Sequence, residues 1–125
     1  MTFELPYPPT TNHAYLVRNN RKVKTNKARD YAYRVGIEVV KAIRDAPTNY
    51  LNLNGKRLAV HIQVNAPDKR KRDLANTEKL ATDAVMHALG LDDSQIDKLT
   101  IERGPTNRPN GSLTYTITQD ERTPF

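Results

Sequence analysis

The chain has 125 residues, a length typical of one domain whose modest core needs no covalent staples. It contains no cysteine, which excludes disulfide scaffolds, thiolate zinc sites and thiol nucleophiles and fits a reducing cytosol. Lys and Arg outnumber Asp and Glu by 20 to 14, a net charge of +6 that makes polyanions the leading class of partner. No segment approaches the roughly 20 apolar residues of a membrane span, and no secretion signal opens the chain. We therefore expect a soluble cytoplasmic protein of one domain, residues 1–125, with no membrane partner.

Hydrophobic periodicity divides the chain into predicted elements. Apolar residues at every second position indicate a strand with one buried face, whereas steps of three and four indicate one face of a helix. In chain order, the predicted elements are a short strand at 3–5, a polar surface loop or loose hairpin at 10–26, a helix from Thr25 or Asn26 to Pro47, a turn-rich connection at 48–56, a strand at 58–64, a helix from about Asp73 to Leu89, a strand at 96–102, a loop at 105–111 and a strand at 112–118.

The order of these elements predicts an α+β, two-layer fold. Because the strands at 58–64 and 96–102 flank a helical crossover, we expect them to be parallel neighbours. Gly90 suits the left-handed residue that follows a helix, so the second helix should end there. We expect a small mixed sheet of about four strands with two main helices on one side. Two apolar helix stripes exceed what so small a sheet can cover, which favours a homodimer.

Unlike charges concentrate in the stretch that contains the second predicted helix. Four consecutive cations at 69–72 precede Asp73, and Asp92 and Asp93 follow the helix. Carboxylates among cations suit Mg²⁺-dependent phosphodiester hydrolysis, because Mg²⁺ prefers hard oxygen ligands and cations hold the phosphate. Each residue also has a purely structural interpretation. Asp73, or Asn76 in its place, would be the N-cap of the second helix, Asp92 would cap a short turn at 94–96, and the cations would form a solvated surface. The pattern by itself favours these structural interpretations.

Three motifs, taken together, are far more specific than any one of them. They are LPYPPTTN at 5–12, DKRKRDLAN at 68–76 and GLDDSQ at 90–95, with Lys79 and Asp83 at fitting spacing between the last two. In combination they resemble the RusA-type Holliday-junction resolvases, and the resemblance extends from Leu5 to Thr118. It implies a small homodimeric endonuclease, often encoded by a phage or prophage. Such enzymes bind four-way DNA junctions by shape and make paired nicks with Mg²⁺, or with Mn²⁺ in its place.

The resemblance also implies roles for single residues. Asp73 and Asp93 fall on catalytic carboxylates of the metal site, Asp92 on a neighbouring acid of that site, and Lys79 on a catalytic lysine that acts on the scissile phosphate. The departure is Ala75, which stands where the family has a catalytic aspartate and whose methyl group cannot bind Mg²⁺. The residues expected to hold backbone phosphates are Arg18, Arg21, Lys22, Lys24, Lys69, Arg70, Lys71 and Arg72.

Loss of one carboxylate should weaken metal binding while leaving or strengthening the attraction for phosphates. We therefore expect this chain to bind junctions without efficient cutting. Ala75 is either an introduced substitution or a natural loss, and the intact Asp73, Lys79 and Asp93 favour the former. The rival functions are a DNA-binding or regulatory protein that never cuts, and a metal-dependent nuclease for other branched DNA. Tyr7 is expected to pack in the core or a loop, with stacking on an exposed base as the alternative.

Overall fold

A mixed sheet, two main helices and a separate hairpin make up the computed structural model, which describes residues 1–9, 15–18, 20–51 and 53–121. The strands are β1 (Thr2–Pro6), β2 (Tyr15–Arg18), β3 (Arg21–Lys24), β4 (Leu58–Asn65), β5 (Ile96–Arg103) and β6 (Ser112–Gln119). The helices are α1 (Asn26–Asp45), α2 (Pro47–Leu51) and α3 (Glu78–Leu89), with 3₁₀ turns at Leu74–Thr77 and Asp93–Gln95. The four-stranded sheet has the order β1-β6-β4-β5, and β2 pairs with β3 alone.

The predicted α+β fold is confirmed, including its parallel pair. β5 runs parallel to β4 after the crossover through α3, whereas β6 runs antiparallel to both β1 and β4. Every second residue of β4, from Leu58 to Val64, is buried, so one face of the sheet packs on the helices. The predicted loose hairpin is confirmed for β2 and β3, while residues 10–14 and 19 lie outside the described part of the chain.

Residues next to α1 in the sequence mark both of its ends. The Thr25 hydroxyl accepts a hydrogen bond from the Ala28 amide at 3.3 Å and caps the helix. The prediction that only turns follow Pro47 was wrong, because this proline begins the short helix α2. Proline is compatible with the first position of a helix, where its missing N–H would have had no helical partner. One residue therefore ends α1 and begins the next helix.

The second helix begins later than predicted. Asp73 caps the 3₁₀ turn at Leu74–Thr77, and the Thr77 hydroxyl donates to the Leu74 carbonyl at 2.7 Å. The regular helix α3 therefore begins only at Glu78, and it ends at Gly90, whose φ of 69° is left-handed as predicted. The delay matters for function, since it places residues 73–76 on a tight turn rather than on a helix face.

Two hydrogen bonds made by hydroxyls of buried residues connect the layers. The Thr82 hydroxyl of α3 lies 3.1 Å from the Tyr115 hydroxyl of β6, and both residues are buried. The Tyr31 hydroxyl of α1 donates to the Pro6 carbonyl at 2.8 Å. These bonds hold α3 on the sheet and hold the end of β1 against α1. None of the helices in the described part of the chain has the length and apolar character that a bilayer crossing needs.

Candidate functional site

Asp68 organises the basic segment that leads into the 3₁₀ turn. Its carboxylate accepts hydrogen bonds from the Arg70 amide at 2.9 Å and from the Arg70 and Arg72 guanidinium groups at 3.0 and 3.1 Å. These bonds, those from Arg72 above all, hold the pKa of Asp68 well below its usual range. The carboxylate thus remains ionised and bends the basic segment into a compact turn.

Arg72 is held from three sides. Besides its bonds to Asp68, its guanidinium lies 5.9 Å from the centre of the Tyr7 ring, a cation–π distance. Arg103, at the end of β5, donates to the Arg72 carbonyl at 3.3 Å. Only 22% of the Arg72 side chain is exposed, so the N-terminal motif and the sheet both brace the segment before Asp73.

The predicted phosphate-binding cations therefore differ in whether they already form an ion pair within the protein. Arg70 and Arg72 are committed in part to Asp68. Lys69 and Lys71 are exposed and form no ion pair with any described residue, so their ammonium groups are free for an anion. On the hairpin, Arg21 is exposed. The side chains of the other three predicted cations of that segment, Arg18, Lys22 and Lys24, lie outside the described part of the structure.

Asp73 and Ala75 are both exposed on the 3₁₀ turn. The Asp73 carboxylate accepts a hydrogen bond from the Ala75 amide at 3.1 Å, so Asp73 is a cap, but of the 3₁₀ turn and not of the second helix as predicted. A carboxylate has about four lone-pair positions, and one capping bond leaves oxygen available for a further ligand. The cap therefore orients Asp73 without consuming it, and position 75 lies beside it on the same turn.

Lys79, Asp83 and Asp93 line one groove, with a volume of about 320 Å³, between α3 and the beginning of β5. The Lys79 ammonium lies 3.8 Å from the Asp83 carboxylate, a long and weak pairing. Because 63% of the Lys79 side chain is exposed, a phosphate entering the groove can reach the ammonium group. The groove thus places a mobile positive charge beside the Asp93 carboxylate.

The turn that carries Asp92 and Asp93 is clamped by Gln95. Asp92 accepts from the Ser94 amide at 2.9 Å, which lowers the pKa of Asp92 and confirms its predicted role as a cap. The Gln95 side-chain oxygen accepts from the Asp92 amide at 3.0 Å, and its amide group donates to the Lys56 carbonyl at 2.8 Å. One side chain therefore closes the turn and attaches it to the segment before β4.

We expect Gln95→Ala to lower the free energy of unfolding by about 1–2 kcal/mol, because the hydrogen bonds made by this side chain are lost. Urea unfolding followed by circular dichroism measures the loss. Gln119→Ala is the matched control, since that glutamine is exposed and its side chain bonds to no described residue. Equal stability of the two variants would show that the hydrogen bonds of Gln95 do not stabilise the fold.

Comparison with known proteins identifies the family. The family profile described as Endodeoxyribonuclease RusA matches residues 6–115. The chain belongs to the RusA family. The crossover junction endodeoxyribonuclease of Enterobacteria phage HK97 is 32% identical over 120 residues, which cover 95% of this chain and 94% of the relative. The enzyme of the same name from Escherichia coli K12 is 34% identical over 116 residues (92% and 91%), and that of phage 82 is 31% identical over 118 (92% and 91%).

The carboxylates of this RusA-family chain do not assemble a metal site. Among the described residues, no three Asp, Glu, His or Cys side chains lie close enough together to hold an ion. Asp73 lines a different groove from Asp93, and position 75 offers only a methyl group. Mg²⁺ requires several oxygen ligands in near-octahedral geometry. The described residues therefore do not form a complete set of protein ligands for the ion.

Sequence reasoning missed three residues that shape the site. An aspartate two residues before Arg70 is a local turn signal, so Asp68 could have been found from spacing alone. Gln95, three residues after Asp92, completes a capping box that is also readable from sequence. Arg103 had no such signal, because its contact with residue 72 depends on where β5 ends in the folded sheet.

Proposed function

We propose that this RusA-family protein binds four-way DNA junctions and that its active form, with aspartate at position 75, resolves them by paired nicking. The observation that carries the proposal is the shared groove of Lys79 and Asp93, which α3 separates in sequence. A lysine beside an acid suits phosphoryl chemistry, since the cation stabilises charge that develops at phosphorus. The names of the relatives, crossover junction endodeoxyribonucleases, support the same substrate.

The proposed cofactor is Mg²⁺, with Mn²⁺ as the alternative. In the active form Asp73, Asp93 and a carboxylate at position 75 would hold it, with Asp92 close by. A bound ion supplies charge at the phosphate and lowers the pKa of water. Lys79, which is exposed in the groove of Asp93, would bind the scissile phosphate through its ammonium group. In the present chain Ala75 leaves this set of ligands incomplete, so we propose that it binds junctions and cuts them poorly.

The proposed DNA contacts are made chiefly by the cations without an internal partner. Lys69 and Lys71 are exposed just before Asp73 in the chain, and Arg21 is exposed on the hairpin. Arg18, Lys22 and Lys24 are further proposed contacts. Arg70 and Arg72 would add the N–H groups that Asp68 leaves free. Every such contact neutralises a phosphate, so binding should fall steeply as salt rises.

We also propose that the protein acts as a homodimer, with one site for each of two opposed strands. Exposed apolar side chains on α1 support an association surface, since Tyr33 and Val40 are 71% and 63% exposed and Ile37 lies between them. The proposed setting is the cytoplasm of a bacterial cell, with the gene carried by a phage or prophage. Two of the relatives are phage proteins.

A gel-shift titration without Mg²⁺ tests the proposal with the chain as it is. We expect a four-way junction to bind at least about tenfold more tightly than a linear duplex of the same sequence, equivalent to ~1.4 kcal/mol. The double variant Lys69→Ala/Lys71→Ala should weaken both complexes, because it removes phosphate contacts. Equal affinity for junction and duplex would contradict the proposed preference for four-way junctions. Tighter binding of flaps or replication forks would favour the alternative nuclease substrate.

A further inference from the structure

A second groove lies beside the proposed acidic site and is separate from the groove of Lys79. It has a volume of about 250 Å³ and runs between the N-terminal motif and the 3₁₀ turn. One side is apolar and is formed by Tyr7, Pro8 and Pro9. The other side is polar and carries Lys71, Asp73 and Asn76. The groove is smaller than the 300–1,000 Å³ or so of typical ligand pockets, so it suits one planar group.

Three polar side chains of this groove have no hydrogen bond or ion pair within the described part of the chain. The Asn76 side chain is exposed and its amide group makes no hydrogen bond to any described residue. The Tyr7 hydroxyl is likewise without a hydrogen bond within the described part of the chain. Lys71 is exposed and has no ion-pair partner there. An aromatic hydroxyl, a carboxamide and an ammonium group are thus presented together and unpaired.

The Tyr7 ring is held in place at the groove, because it packs in part against the hydrophobic core. Arg72 lies over the ring at 5.9 Å, and Arg72 is in turn held by Asp68. This bracing reduces the entropy that the ring would otherwise lose when a ligand packs against it. Desolvation raises the pKa of Tyr7, so the hydroxyl stays protonated and able to donate a hydrogen bond.

We propose that this groove binds a single nucleotide of the DNA strand that passes Asp73, a proposal that rests on the proposed function. The base lies against Tyr7 and the two prolines, and the Asn76 carboxamide pairs with the base edge. Carboxamides supply a donor and an acceptor side by side, which matches the edges of nucleobases. Lys71 holds the adjoining phosphate. A base can enter such a groove only when it is unstacked, which a junction crossover permits more readily than an intact duplex.

An abasic scan of the junction tests this proposal with the chain as it is. Single nucleotides around the crossover of a four-way junction are replaced one at a time by abasic residues, and affinity is measured by fluorescence anisotropy. We expect the loss of one base, at one position in each of the two opposed strands, to weaken binding about 10-fold, the order of effect that stacking one base supplies. Losses at the other positions should be small.

Two variants connect the scan to the groove. Asn76→Ala and Tyr7→Leu should each weaken binding of the intact junction and remove the dependence on that one base. Asn54→Ala is the matched control, since Asn54 is exposed and lies outside the groove. Thermal unfolding of every variant separates loss of contact from loss of fold, and Asn76→Ala should unfold at the temperature of the parent.

These experiments distinguish failure of the nucleotide site from failure of the proposed function. Uniform affinity across the abasic scan would overturn the nucleotide site even where the junction still binds more tightly than the duplex. A dependence on one base that persists in Asn76→Ala would place the contact elsewhere and would also overturn it. Loss of junction preference itself, read as the ratio of junction to duplex affinity in the same titrations, would overturn the proposed function instead.

Discussion

Ala75→Asp should convert a junction-binding protein into one that nicks junctions when Mg²⁺ is added. Position 75 is exposed on the 3₁₀ turn beside Asp73, so a new carboxylate meets no packing obstacle there. It would place a second carboxylate beside that of Asp73. We expect cleavage at least about 100-fold faster than in the Ala75 chain, because even outer-shell partners of a metal site are worth about 10- to 100-fold. Denaturing gels of end-labelled four-way junctions measure the rate.

Three controls restrict the interpretation of that result. Ala75→Asn has nearly the same shape without the charge and should remain inactive. Adding Asp93→Asn or Lys79→Met to Ala75→Asp should abolish the gain while leaving junction binding intact, because both residues line the groove proposed for the phosphate. Cleavage should stop with a chelator. If Ala75→Asp binds junctions yet cuts none of them in Mg²⁺ or Mn²⁺, the proposed catalytic role of this site is wrong.

Gly111→Ala should destabilise the protein by about 3 kcal/mol, since a left-handed backbone and a crowded site add their costs. The φ angle of Gly111 is 72°. A Cβ atom there would lie 2.8 Å from the Pro67 ring and 2.9 Å from the Pro67 backbone nitrogen. It would also lie 3.0 Å from the Tyr7 ring. Pro67 precedes the basic segment, so the clash can be relieved only by moving the loop that carries Asp68.

Gly55→Ala is an unusually close control for this substitution. Gly55 has the same φ of 72° but nothing within 4 Å of its would-be Cβ, so only the backbone cost of about 1 kcal/mol applies. Urea unfolding of the two variants separates the two costs. A difference below about 0.5 kcal/mol would show that Pro67 and Tyr7 move away easily. A difference of the expected size would show that a side chain at 111 does not fit between Pro67 and Tyr7. The absence of a side chain there would then be what lets the N-terminal motif pack against the basic segment.

Much of the fold could be predicted because strand and helix patterns are local. The alternation in β4 and β6 reflects a sheet with one buried face, and it predicted both strands to within a residue or so. The boundary at Asp73 failed because its cap closes a 3₁₀ turn, and that choice depends on a hydroxyl bond from Thr77. Periodicity cannot distinguish such a turn from the first turn of a helix, since one turn is too short to separate a period of about 3.0 residues from one of about 3.6.

The motif at 72–76 is by itself typical of an ordinary helix start, and only its combination with the motifs at 5–12 and 90–95 indicates the family. By itself, the sequence determined the family, the order of the elements, the candidate acids and the missing carboxylate at 75, because these depend on residue identity and spacing. Only the tertiary structure decided which cations are free and which are bound to Asp68, and which acid shares a groove with Lys79. The shared groove is set by how α3 and β5 pack. Several cations lie near Asp68 in sequence, so its pairing with Arg70 and Arg72 depends on how the turn folds, and Tyr7 and Arg103 from other elements brace that turn.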